Sequence, residues 1–186
     1  PKQPGDTIEE VRPHIATAPA VDRSSVQSPT EAVVRAAPAR AEKKWTLTDL
    51  LHCLGTYVQE RCSDLDSPPT PSDIAMWVRC ADRALQLNGW TVNSFLMESH
   101  VVFTYLLLTH AFQRFTFKTL VDVKEVVLMC LYVSYTYNAN EISYPLRPFL
   151  VKQDKSAFWY KCTTLSLGAS TQMLKLNREG TYYADV

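Results

Sequence analysis

Catalysis needs a nucleophile, a base and a charge stabiliser brought together, and this chain scatters its candidates. Its four histidines are His14, His52, His100 and His110; its five cysteines are Cys53, Cys62, Cys80, Cys130 and Cys162. No two cysteines form a C-x-x-C pair, and no His/Cys group has the spacing of a zinc site. His52 and Cys53 are neighbours in a helical pattern. Successive helical side chains point about 100° apart, so the two do not face each other as base and nucleophile would. Asp64 and Asp66 lie in a turn-rich stretch without a partner histidine. No glycine-rich phosphate loop is present. The reading is therefore no catalytic residue, no metal and no cofactor. The thiols sit among apolar residues, as small buried hydrophobes of a reducing compartment do.

What stands out instead is the stretch from Val126 to Val151, VVLMCLYVSYTYNANEISYPLRPFLV. Its first eight residues, Val126 to Val133, are almost continuously apolar. A helix apolar on every side must be wrapped by others. A tyrosine-rich turn comes next, then a polar elbow (Asn138, Ala139, Asn140, Glu141) where the buried helix emerges. Pro145 and Pro148 each remove a backbone donor and push Tyr144 and Arg147 toward extended geometry, so only a short helix fits there. Loops on a rigid scaffold are where function concentrates.

The rest of the 186 residues must position that elbow. Residues 1–44 hold six of the eleven prolines and no Phe, Trp or Tyr, a composition that cannot offset its ordering entropy, so they read as a disordered tail. Order is expected over residues 45–186. Thr46 and Asp49 have capping-box spacing, and Leu47, Leu50, Leu51, Leu54, Val58 and Cys62 come after them at helical spacing, with Gly55 as the weak point. Residues 63–71 stop that helix. A second is expected from Ser72 and Asp73 to about Leu87, capped by Gly89. A third is expected over roughly Glu98 to Arg114, and a fourth from near Thr119. A last helix runs from about Lys155 to Leu176 with Gly168 inside it. No stretch alternates with period two. The fold class is all-α: a bundle of helices wrapped around one of their number, after an amphipathic leader helix.

Nineteen basic and nineteen acidic residues leave no net charge, hence no footprint for nucleic acid or anionic lipid. The longest apolar run is well short of the ~20 residues a membrane span needs. Because the chain begins at Pro1, it reads as a processed fragment. The expected location is cytoplasmic, with nuclear or membrane association through an amino-terminal segment outside this chain left open. Ser28, Ser67 and Thr70 each precede a proline and are candidate sites for a proline-directed kinase.

The elbow carries a resemblance. N-E-I-S-Y-P-L-R-P-F-L-V (140–151) resembles the signature of the neuronal activators of cyclin-dependent kinase 5. L-L-H-C-L-G (50–55), D-R-A-L-Q-L-N-G-W (82–90), V-V-F-T-Y (101–105), C-L-Y-V-S-Y-T-Y (130–137) and A-F-W (157–159) resemble that family in the same order. More distantly, E-I-S-Y-P is similar to the E-E-I-Y-P-P of the cyclin box. The resemblance implies a cyclin-like fold of five helices around a buried central one, with an extra amino-terminal helix. Cyclins proper carry a kinase-contacting Lys and Glu where this chain has Asn138 and Leu167. Family members read Phe-Trp-Asp at Phe158-Trp159-Tyr160 and Asn at Leu167. The Asn138 and Leu167 differences favour the activator family over an ordinary cyclin.

The resemblance further implies a non-catalytic subunit forming a heterodimer with cyclin-dependent kinase 5. It would hold the kinase's regulatory helix inward, setting the Lys–Glu ion pair for ATP, and hold the activation segment open. The implied contact surface is the elbow together with positions on its carboxyl-terminal side. Asn138, Ala139, Asn140, Glu141 and Ser143 would supply polar and backbone contacts. Ile142, Tyr144, Pro145 and Leu146 would form an apolar wall, and Phe149, Trp159 and Leu167 would extend it. Ile142, Phe149 and Trp159 each have the alternative of being core. An interaction module that binds a kinase without activating it, and a small helical enzyme, are the competing readings.

Overall fold

A computed structural model of the chain describes residues 45–139 and 143–178. The tail assigned to residues 1–44, Ser28 within it, and Asn140, Glu141 and Ile142 of the elbow lie outside the described residues. Within them there are helices and no strands: α1 (Leu47–Arg61), α2 (Pro71–Leu87), α3 (Glu98–Arg114), α4 (Leu120–Asn138), a 3-10 turn (Arg147–Phe149), α5 (Lys155–Gly168) and α6 (Ser170–Arg178). The all-α reading holds.

Three helices begin with one device. Thr46, Thr70 and Thr119 each accept a hydrogen bond from the backbone N–H three residues on, and Asp49, Asp73 and Asp122 reach back to the cap N–H. Each box satisfies two of the amide donors that a helix start leaves unpaired. The second box moves the start of α2 earlier than expected. Thr70, not Ser72, is the cap, and Pro71 takes the first helical position, where a missing N–H costs nothing. At its far end, Gly89 has φ 73. Its N–H bonds the Gln86 carbonyl and that of Trp90 bonds Leu85, closing the helix as a Schellman motif.

The buried helix is α4. Val123 and every residue from Glu125 to Tyr135 are excluded from solvent. It packs against α2, α3, α5 and the 3-10 turn, while α1 lies on α2 and α3. Gly55, read from sequence as a weak point, is the place where α1 meets the start of α2. A methyl group there would lie 2.5 Å from the Pro71 Cα, too close for any side chain.

The single last helix expected to Leu176 is interrupted. Ala169 caps α5, and a new helix starts at Ser170. Gly168 sits against the Arg114 guanidinium, 2.8 Å from where its Cβ would be. The short helix expected after the elbow is a single 3-10 turn, with both prolines close by: Pro148 inside it and Pro145 two residues before it.

Candidate functional site

The second half of α4 carries aromatic rings that serve both the core and the surface. Tyr135 stacks on Phe149 with centroids 6.0 Å apart and meets Tyr144 edge-on at 5.4 Å. Tyr132 makes edge contacts with Phe149, Phe158 and Trp159 at 5.3, 5.5 and 5.7 Å. Phe149 is thus held between the two tyrosines and is fully buried. Its assignment to a contact surface is corrected: two prolines turn the chain inward around it, and its ring supports the surface from behind. Trp159 goes the other way. Its ring leans on Tyr132 yet is 47% exposed.

Trp159 and Leu167 belong to one apolar groove. Tyr132, Val133, Thr136 and Tyr137 of α4 form its floor, and α5 and α6 form its walls, with Met173 and Leu174 on the α6 side. Leu167 is 73% and Leu174 59% exposed. The Tyr137 hydroxyl donates to the Met173 carbonyl at 2.8 Å, fixing α6 to the end of α4 and so setting the groove's width. Isolated exposed apolar residues need no explanation, but a contiguous patch marks an interaction site.

The segment that follows the elbow lines a second cleft, the elbow cleft. Pro145, Leu146, Arg147 and Pro148 face Trp90, Asn88 and Ala84 at the end of α2. Tyr144 is half-buried, and its hydroxyl donates to the Ala139 carbonyl at 2.7 Å, closing the loop on itself. The Asn138 amide donates back to the Ser134 carbonyl at 2.8 Å. Ser143 is exposed, and Ala139 is half-buried at the α4 cap. The cleft and the groove share no lining residue. Of the expected contact residues, Pro145 and Leu146 line the cleft, Trp159 and Leu167 line the groove, and Phe149 is buried in the core. Trp90, half-exposed across from the elbow, is a lining residue that sequence reasoning did not single out. Its signal is its place directly after the Gly89 cap, where an aromatic side chain is thrown clear of α2.

Side-chain chemistry in the groove is inert. Burial pushes the Cys162 thiol up to about 12, and it also raises Tyr132 and Cys130. A thiol held protonated is no nucleophile. His52 and Cys53 lie on the exposed side of α1. Among the described residues no group of three or more His, Cys, Asp or Glu side chains is placed to hold a metal ion, and no helix is long and apolar enough to cross a membrane. Of the proline-directed positions, Ser67 is exposed. Thr70 is exposed too, but its hydroxyl is bound to Asp73 at 2.7 Å.

A helical domain whose described residues present an apolar groove and a proline-lined cleft has the surface of a protein-binding module. Residues 9–186 match the family described as Cyclin-dependent kinase 5 activator protein, and the chain belongs to that family. It is 38% identical over 149 residues to human Cyclin-dependent kinase 5 activator 2, covering 80% of this chain and 40% of the relative. It is 38% identical over 165 residues to human Cyclin-dependent kinase 5 activator 1, covering 88% and 53%. The Caenorhabditis elegans Cyclin-dependent kinase 5 activator 1 is 38% identical over 143 residues, 75% and 39%. The chain thus spans about half or less of the length of these relatives.

Proposed function

We propose that this chain is a non-catalytic regulatory subunit that binds and activates a cyclin-dependent kinase of the type its relatives' names state. The observation that carries the reading is the apolar groove with Trp159 and Leu167 exposed on it. A groove floored by tyrosines and walled by two helices suits an amphipathic helix laid across it. The kinase's mobile regulatory helix is such an element. Held inward, it brings its Glu to the ATP-binding Lys, which an active kinase requires. The elbow cleft, with Trp90 opposite Pro145 and Leu146, takes the activation segment, and Asn140, Glu141 and Ile142 complete that contact. The arrangement of α2 to α5 around α4 supports a cyclin-like fold. Activation is a shift of population: the subunit binds the active kinase better than the inactive one. Residues 45–186 act as the activating domain, residues 1–44 are dispensable for it, and the working location is the cytoplasm.

Reconstitution tests this. Purified, unphosphorylated cyclin-dependent kinase 5 is assayed for phosphate transfer to a Ser-Pro peptide with and without the chain. Strong stimulation is expected, and it should persist in a chain beginning at Trp45. Binding without stimulation would replace the reading with a scaffold, and no binding would remove it.

A further inference from the structure

Away from the groove, one side of α2 carries a second surface. Ser72, Met76, Arg79, Cys80 and Arg83 line a shallow depression along the helix. Met76 and Cys80 also line the adjoining depression, which Lys124, Pro148, Leu150 and Val151 complete. That one in turn meets the elbow cleft through Pro148 and Leu150, with Arg147 and Lys155 at its far end. The three form a continuous channel.

The channel segregates charge in a chain whose net charge is zero. Arg79, Arg83, Lys124, Arg147 and Lys155 line it, and no carboxylate does. Among the described residues none of the five is ion-paired. Arg79 donates to the Thr48 hydroxyl and Lys124 lies over the Trp77 ring, contacts that leave both charges uncompensated. The acids of the same elements are engaged elsewhere. Asp73 closes a capping box, and Asp154 caps α5. Asp82 is buried and accepts from Gln86, Ser94 and the Phe95 N–H. Asp122 and Glu125 pair with Lys152 and Lys161. Cations without counter-ions over a low-dielectric floor raise the local concentration of an oppositely charged ligand. The floor is apolar: Met76 is half-exposed one turn before Arg79, and Leu150 and Val151, which share its depression, are half-buried.

We propose that this channel docks an extended acidic peptide segment of a partner protein, one that alternates carboxylates with apolar side chains. The stretch of α2 from Ser72 to Ala84 is about 18 Å long at the helical rise, which about five or six extended residues span. Alternation suits the geometry, because successive side chains of an extended chain point to opposite sides. One set reaches the arginines and the other the Met76 and Leu150 floor. A nucleic acid backbone would need a row of cations without that apolar interleaving. The channel shares the elbow cleft with the kinase reading at one end, through Pro148 and Leu150, so its test rests on Arg79, Arg83 and Met76, which line only the α2 depressions.

The test is fluorescence anisotropy of the whole chain with a labelled peptide of alternating Glu and Leu. Matched probes replace Glu by Gln, replace Glu by Lys, or substitute a short DNA duplex. The acidic peptide should bind at least about tenfold tighter than the Gln peptide, and the difference should vanish between about 0.01 and 1 M ionic strength. Arg79→Glu/Arg83→Glu should weaken it about tenfold, and Met76→Glu, which leaves both arginines, should weaken it too. Trp159→Ala should bind it as well as the unaltered chain. Equal binding of the Glu and Gln peptides, no loss in the double variant of unchanged helix content, or tighter binding of the DNA would each overturn the proposal.

Discussion

The Lys161 ammonium on α5 lies 2.8 Å from the Glu125 carboxylate on α4, whose side chain is only 3% exposed. Lys152, on the loop before α5, reaches the same carboxylate at 3.2 Å and Asp122 at 2.6 Å. A buried charge is tolerated only when paired. This pair therefore fixes where α5 sits on α4, and with it the direction in which Trp159 is presented.

Removing one partner should cost more than removing both. Lys161→Met leaves Glu125 dependent on Lys152 alone and should destabilise the fold by about 1–3 kcal/mol. Glu125→Leu/Lys161→Met should recover most of that loss. Thermal melts of the three chains check it; a double variant less stable than Lys161→Met would show that the pair contributes beyond mutual compensation.

Acid sensitivity arises from the neighbouring carboxylate. The Lys152 hydrogen bond, with help from Thr119 and the backbone N–H groups of Lys118 and Thr119, holds Asp122 well below the usual carboxylate range. Its folded value is depressed, so its stabilisation is present above the unfolded value of about 3.9 and is lost as pH falls below that. Asp122→Asn should flatten the acid limb of the stability profile between about pH 5 and 2, leave the neutral region level, and soften the alkaline limb, because Asp122 is the main cause of the raised Lys152 value. Denaturant midpoints across that range provide the measurement.

Two aromatic truncations should separate scaffold from surface. Phe149→Ala opens a cavity in the core and should cost about 3–5 kcal/mol of stability. Trp159→Ala should leave the melting curve nearly unchanged yet weaken kinase association by about 2 kcal/mol or more, as an interface anchor does. Calorimetry paired with titration distinguishes the two; equal stability losses would return Trp159 to the core.

The α1–α2 junction gives a backbone test. Gly55→Ala drives a methyl group into the Pro71 backbone, 2.5 Å away, where no flexible side chain can yield. The expected loss is about 1–3 kcal/mol despite the better helix propensity of alanine. Improved stability would show that α2 shifts freely.

The elbow variants Glu141→Ala and Ile142→Ala should lower kinase activation with helix content unchanged. Circular dichroism alongside the phosphate-transfer assay tests both halves of that statement.

Helix positions are legible in the sequence because they are written locally. The run from Val126 to Val133 has no polar side to place outward, so its burial is dictated by its composition. The Thr-x-x-Asp spacing marks α1 directly, although the adjacent Ser72 obscures the same signal at Thr70. The interruption after Gly168 is not legible, because the glycine also fits a continuous helix and its close neighbour, Arg114, lies more than fifty positions earlier. Phe149 is left between surface and core by sequence reasoning for a related reason. Its neighbours form an exposed elbow, and only the spacing of two tyrosines on α4 decides that its ring turns inward. Trp159 and Phe158 are adjacent aromatics on one helix, and sequence alone does not say which faces out.

The repeated capping box has a kinetic consequence. Thr46, Thr70 and Thr119 each set a helix start with groups three residues apart, before any distant part of the chain has arrived. Nucleation is the costly step of helix growth. Three independent local nuclei let α1, α2 and α4 begin early, so α2 offers the apolar α4 one wall at the outset, while α3, which starts without a side-chain cap, depends on packing against α4 to form.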